Sequence, residues 1–309
     1  MTSATSTAGE RASHELAALD GSNLLAFMSA LGVVRILAVD QPSLQPTLRW
    51  EFRSAWRPII ECGCDRAALL GILTIALQRS AGLPELRFAD NIKQTPEQFR
   101  ALARCAAASS ERLERLAWLA SFASDACVDR HSAEGMLADT AFRTMQGAGH
   151  QHFLKSIREN FAAVRAEDLE ADLFGVWKYD RKGSPLRWDP ADDRQHAYRW
   201  RDPSSDKPGA VVGALALAGA ALPMFPTSPR QGGLLTLGFQ GSREGPLFTW
   251  PVWSPALRAR SLQSLLALAE LQRDAPPRAA LQALGVLDVF RCRRVSVGKM
   301  RNFTPAWCP

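Results

Sequence analysis

Thr47-Leu48-Arg49-Trp50-Glu51-Phe52 and, after Arg53-Ser54-Ala55, Trp56-Arg57-Pro58-Ile59-Ile60-Glu61 decide the fold class. The first run alternates apolar and polar residues, the period of a strand with one covered face. The second is its partner across a hairpin. On either side the period changes to three and four. Upstream, Asp20-Gly21-Ser22-Asn23 is turn chemistry, and Ser22 or Asn23 can cap a helix. Leu24, Phe27, Met28, Leu31 and Val34 then predict an amphipathic helix over 23–38 with one core face. Gly32 in its middle permits close approach of a neighbour. Downstream, residues 65–80 are nearly apolar all round and predict a buried helix. A hairpin set among helices, with strands and helices mixed later in the chain, indicates an α+β fold rather than a doubly wound sheet.

Thr95-Pro96-Glu97 opens a further helix with a cap and a first-turn proline, reaching about residue 109. Residues 110–123 predict another, with Leu113, Leu116, Ala117 and Ala120 inward. Residues 124–148 are less regular. Helices follow over about 150–164, with Phe153, Ile157 and Phe161 on one stripe, and over 166–176. The segment 177–208 differs. Trp177, Tyr179, Trp188, Tyr198 and Trp200 alternate with charges and with Pro185, Pro190 and Pro203, so it reads as an extended aromatic stretch joining two compact parts. The uncharged run 209–229 predicts a buried helix that stops at Pro223, too rich in Ala, Gly and Pro for a membrane span. Strands over 234–239 and 247–253, helices over 255–272 and 277–285, and a closing basic strand complete the chain. The organisation expected is a disordered tail over 1–19, a mainly helical part with a β-hairpin over 20–176, and a mixed strand and helix part over 177–309.

The chain has 309 residues, 47% hydrophobic and 22% charged, enough to bury a core. Its net charge is +6, and the segment from Asp274 to Pro309 carries +4 of that balance. Two acids, Asp274 and Asp288, stand there against Arg278, Arg291, Arg293, Arg294, Lys299 and Arg301. The run Val289 to Val297 reads as a basic strand, followed by a Gly298-Lys299-Met300-Arg301-Asn302 turn. Such a strand suits a phosphate backbone better than a neutral metabolite. Arg291, Arg293, Arg294, Lys299 and Arg301 are the first candidates for phosphate contact. Arg187, Arg194, Arg199 and Arg201 are the second, with Trp188 and Trp200 as stacking partners for bases. The competing reading puts the aromatics in the core and the bases in solvent.

Catalytic signatures are missing from the sequence. There is no Gly-x-x-x-x-Gly-Lys phosphate loop, no Gly-x-Gly-x-x-Gly after a strand and no Gly-x-Ser-x-Gly elbow. His150-Gln151-His152 diverge on a helix start and do not converge on a metal. Asp189, Asp192 and Asp193 could hold magnesium in a metal-dependent hydrolase, but Arg187, Arg194, Arg199 and Arg201 pair with them locally. Six cysteines are spread thinly, and Cys62-Gly63-Cys64 has one spacer residue where a zinc knuckle has two. The expectation is a cytoplasmic protein with reduced thiols, no signal peptide, no cofactor, no metal and no enzymatic activity.

Leu19 to Arg35, with Gly21, Leu24, Phe27-Met28 and Ala30-Leu31-Gly32-Val33-Val34-Arg35, resembles the start of large-subunit-like proteins encoded in type I-G (formerly I-U) CRISPR loci. Leu186-Arg187-Trp188-Asp189-Pro190-Ala191-Asp192-Asp193-Arg194, Ala221-Leu222-Pro223-Met224-Phe225-Pro226 and Phe248-Thr249-Trp250-Pro251-Val252-Trp253 resemble one small family of those loci, the helicase–nuclease extension. The order and spacing of these segments agree over most of the chain. The resemblance implies a non-catalytic subunit of a CRISPR RNA-guided surveillance complex, whose partners are the other effector subunits, guide RNA, target DNA and the helicase–nuclease, with no membrane. In such complexes base pairing reads sequence, and protein contacts go mostly to backbone. The chain is much shorter than the large subunits, which weakens direct reading of a short DNA motif. The alternative is an adaptor that recruits the helicase–nuclease through protein contacts alone.

Overall fold

Helix α1 (Leu24–Asp40) is buried on every side from Leu24 to Leu37, and elements from both halves of the chain pack on it. The computed structural model describes residues 11–145, 152–184, 186–190, 209–230, 233–297 and 300–309. The elements in chain order are β1 (Ala12–Glu15), α1, β2 (Thr47–Phe52), β3 (Trp56–Cys62), α2 (Arg66–Ser80), α3 (Pro84–Arg87), α4 (Pro96–Ala107), α5 (Arg112–Phe122), β4 (Ala123–Val128), β5 (Leu137–Asp139), α6 (Phe153–Ala163), α7 (Ala166–Phe174), α8 (Val212–Ala220), β6 (Thr227–Arg230), β7 (Gly233–Thr236), β8 (Phe239–Gln240), β9 (Leu247–Trp253), α9 (Ala259–Leu266), α10 (Arg278–Ala283), β10 (Val286–Val297) and β11 (Met300–Phe303). The fold is α+β.

One antiparallel sheet has the order β1-β3-β2, with Ala12 opposite Cys62 and Phe52 opposite Trp56. A second runs β11-β10-β9-β8, also antiparallel, with Phe290 opposite Trp250 and Arg294 opposite Phe303. Leu48 and Leu257 exchange backbone hydrogen bonds of 2.9 and 3.0 Å, and Trp253 Nε1 donates to Leu48 O at 2.9 Å, which ties the sheets together. Two small ribbons, β4-β5 and β6-β7, complete the strand content of the described residues.

Asn23 caps α1, its Oδ1 accepting from Ala26 N at 3.1 Å. The expected single core face is a complete one, because aromatic side chains of both sheets (Trp50, Trp250 and Trp253) surround Phe27 while α8 covers the opposite small residues. Helix α8 has no polar side chain, so its ends are satisfied from elsewhere. Asp172 Oδ2 accepts from Gly213 N at 2.7 Å, and Arg35 Nη1 donates to Ala220 O at 3.0 Å. An acid at the N-terminus and a base at the C-terminus both complement the helix dipole. Ser29 Oγ donates to Ala214 O at 2.8 Å, and a Cβ on Gly32 would lie 1.9 Å from Leu217 O. The contacts Ser29–Ala214, Gly32–Leu217 and Arg35–Ala220 keep one constant offset, so α1 and α8 run parallel with their backbones nearly touching.

Several expectations change. Ala12–Glu15 is a paired strand, and Leu16 and Leu19 are fully buried, so the expected disordered tail does not extend over 11–19. Helix α2 buries only Leu69, Leu70, Leu73, Ala76 and Leu77 and exposes Ile75. On α5 Leu113 is exposed, and Trp118, Leu119 and Phe122 face the core. The boundary drawn at 176/177 does not separate two cores, since one cluster of buried side chains runs from Leu16 to Phe303. Among the described residues no helix is long and apolar enough to cross a membrane.

Gly32→Ala is expected to lose about 3 kcal/mol or more of stability in urea unfolding, because the clash is with backbone. Gly71→Ala on α2, where a Cβ meets nothing within 4 Å, is expected to gain about 0.5–1 kcal/mol. Equal effects would refute the close helix contact. Asp172 supplies a second test. Desolvation, opposed by Arg181 and by the Gly213 and Ala214 amides, pushes its carboxyl up to about 6. A raised acid pKa means the native state holds the proton more tightly. The associated stability is fully present below the ordinary carboxylate value and is lost as pH rises through about 6. Between pH ~8 and ~5 the protein should gain roughly 1 kcal/mol from this group, and Asp172→Asn should make that pH dependence shallower.

Candidate anion-binding site

The closing basic strand is β10, and alternation along it sends Arg291 and Arg293 to one face and Arg294 to the other. Arg291 is only 3% exposed. Its Nε donates to Thr249 Oγ1 at 2.8 Å, and its terminal nitrogens donate to the carbonyls of Asp274, Leu271 and Arg273 at 3.1, 3.2 and 2.6 Å. The guanidinium thus fastens the turn after α9 to the sheet, and its expected role in phosphate contact is corrected. Burial lowers its pKa, with Asp274 opposing. Arg293 pairs with Glu244 and lies 5.9 Å from the Trp307 ring centroid, so a protein carboxylate already neutralises it.

Arg294 and Arg301 behave differently. The hairpin β10-β11 sets Ser296 opposite Arg301 and Arg294 opposite Phe303. The loop after β5 lies against this hairpin: Arg301 N donates to Thr144 O at 3.1 Å, and Arg294 Nη1 donates to Ala141 O at 2.6 Å. That loop carries Arg143, whose Nε is 2.7 Å from Oδ2 of Asp139. Both side chains are largely buried, 14% and 12% exposed. Among the described residues Arg143 Nη1 has no hydrogen-bond partner although it is buried. Among the described residues the Arg301 side chain makes no hydrogen bond. Three guanidinium groups thus gather in one region, and among the described residues only Arg143 of the three has a carboxylate within ion-pair distance.

The electrostatics carry the signature of that excess. Arg294 is pushed down to about 10, first by desolvation and then by Arg301, with Arg143 adding and Asp139 opposing. Arg301 is lowered by desolvation and by Arg143, against Asp139 and Asp129. Desolvation raises the Asp139 carboxyl in spite of all three arginines. Like charges held together out of water are costly unless an anion joins them. A cluster with strongly perturbed ionisation is the type of place where a ligand binds. Arg187 stands beside it, with φ of +56° and Nη1 donating to Asn302 Oδ1 at 3.1 Å.

Trp188 is fully buried against Phe142 and Phe153, and its Nε1 donates to Phe142 O at 3.0 Å. It is a core residue, and its expected role in base stacking is corrected. Lys299, Arg194, Arg199, Arg201 and Trp200 lie outside the described residues. So do Asp192, Asp193 and His150. Asp189 is buried and accepts from Asn23 Nδ2 at 3.1 Å and from the Tyr179 hydroxyl at 2.5 Å, which occupies both its oxygens in packing. Among the described residues no group of three His, Cys, Asp or Glu side chains could hold a metal ion. Arg143 and Asp139 escaped the sequence reading because they lie in its least regular segment. Their four-residue spacing was the only signal, and outside a helix that spacing implies nothing.

No family model matches this chain, and no curated protein matches it.

The excess charge makes a prediction about stability. Arg301→Gln removes a like charge that satisfies no side-chain hydrogen bond, and at low salt the variant should unfold at a denaturant concentration no lower than the parent protein. Arg291→Gln strands three carbonyls and should lose about 2–4 kcal/mol. If Arg301→Gln destabilises as much as Arg291→Gln, the cluster is not electrostatically strained.

Proposed function

We propose that the protein is a non-catalytic subunit of a type I CRISPR RNA-guided surveillance complex, and that Arg143, Arg294 and Arg301 hold a phosphate of a nucleic-acid backbone there. The observation that carries the binding part is the gathering of three partly desolvated guanidinium groups, with Asp139 against all three and Asp129 against Arg301 as the opposing charges. Guanidinium is well suited to the task, since its planar fork matches a phosphate with two parallel hydrogen bonds.

The CRISPR part is supported by the resemblance of four segments to type I-G proteins and by the way those segments meet. Asn23 of the first bonds Asp189 of the second. Gly21 O of the first accepts from Trp250 Nε1 of the fourth at 2.8 Å. Phe225 of the third packs on Phe248 of the fourth, ring centroids 5.6 Å apart. Motifs scattered along the chain thus form one contiguous unit, as expected if they specify one shared fold. In this reading the effector subunits and the helicase–nuclease are the protein partners, and guide RNA and target DNA are the anionic ones.

The test is the salt dependence of binding to a fluorescent single-stranded oligonucleotide. Arg143→Ala, Arg294→Ala and Arg301→Ala should each weaken binding and flatten the plot of log affinity against log salt, its slope falling by about one for each phosphate no longer held. Arg278→Ala removes an equal charge from an exposed site near Asp288 and should leave the slope nearly unchanged. Equal effects at Arg278 and in the cluster would reduce the interaction to net charge. An unaltered slope in all four variants would leave the adaptor reading, tested by capture of the helicase–nuclease after nuclease treatment at high salt.

A further inference from the structure

Cys62 closes β3, and Cys64 directly precedes Asp65, the residue that caps α2. Their Sγ atoms lie 3.4 Å apart. The backbone around them is held on three sides. Gly63 N donates to Leu44 O at 3.1 Å, His14 Nε2 meets Cys64 O at 2.9 Å, and Asp65 Oδ1 accepts from Ala68 N at 2.8 Å. The two sulfurs therefore face each other across a fixed turn. A disulfide needs about 2.05 Å between them, a closure that side-chain rotation can supply where the sulfurs already touch. Cys62 is fully buried and Cys64 is partly exposed, so only one of the pair can meet an external reagent.

We propose that Cys62 and Cys64 form a redox modification site that closes to an intramolecular disulfide when a low-molecular-weight disulfide such as oxidised glutathione is the oxidant. The Cys64 thiolate attacks one sulfur of the oxidant. A mixed disulfide forms, the oxidant's own bond breaks, and one glutathione leaves as thiolate. The Cys62 thiolate then attacks Cys64 Sγ and expels the second glutathione. The protein gives up two electrons and two thiol protons, and both glutathiones carry them away as thiols. Burial, followed by the Cys62 thiol and Asp65, pushes the Cys64 thiol up to about 12. Thiolate is therefore scarce near neutrality, and the first step is slow there. The closed ring would grip the turn that joins the sheet to α2 and carries the contact to His14 of β1. The inference is independent of nucleic-acid binding.

The experiment uses the full chain, reduced, folded and incubated with oxidised glutathione at pH ~9, then unfolded, alkylated and digested. The peptide containing Cys62 and Cys64 is expected to be ~2 Da lighter than its dithiol form, to refuse alkylation, and to recover both thiols with dithiothreitol. A doubly alkylated peptide, or one that keeps glutathione on Cys64, overturns the proposal. Cys62→Ser should stop at the mixed disulfide on Cys64. An unmodified Cys64 in that folded variant, alongside closure in the parent chain, would overturn the assigned order of attack. If the variant does not fold, the mass of the parent peptide still decides whether the pair closes.

Discussion

The backbone contact between α1 and α8 governs the rest of the molecule. Gly32 brings the two helices so close that a single added carbon would meet Leu217 O at 1.9 Å. At that distance each helix removes the other from water, and every polar end has to be satisfied inside the protein. Ser29 and Arg35 on α1 and Asp172 on α7 meet that demand. Arg35 also pairs with Glu114 and lies 5.3 Å from the Trp118 ring centroid, so one buried guanidinium joins α1, α8 and α5. A charge buried in this way is tolerated because it is paired with a carboxylate and hydrogen-bonded to a carbonyl. The partners on α8 come from the later half of the chain, which is why the two parts expected from the sequence share a single core.

Arginines on the closing strand divide by the same criterion. Arg291 meets carbonyls and a hydroxyl on every side and stabilises a turn. Arg294 reaches one carbonyl, that of Ala141, but it and Arg301 also face Arg143 as a like charge, with Asp139 opposing. Identical residue types a few positions apart thus have opposite consequences: one is a structural fastener, and the others are a stored repulsion that an anion would relieve.

The aromatic segments that carry the family resemblance turn inward. Trp188, Trp250 and Trp253 are buried, and each indole N–H finds a backbone carbonyl. A tryptophan satisfied in this way defines how segments meet. These motifs therefore account for how distant parts of the chain pack together.

Local pattern alone was enough to place the β2-β3 hairpin, a cap at Ser22 or Asn23, the Thr95 cap with its first-turn proline, the Phe153, Ile157, Phe161 stripe and the α+β class, because alternation, capping and helical periodicity are properties of neighbouring residues. It could not tell that α1 is covered on both sides, that Leu113 faces water, or that Ala12–Glu15 adds to a sheet. Those depend on what arrives from far along the chain. The same holds for the candidate site. That arginines crowd the end of the chain is visible in composition. Which of them meets a carbonyl, a carboxylate or another arginine was decided only by folding, since charge acts through space and Arg294 and Arg301 feel Asp139 and Arg143 from about 150 positions away in sequence.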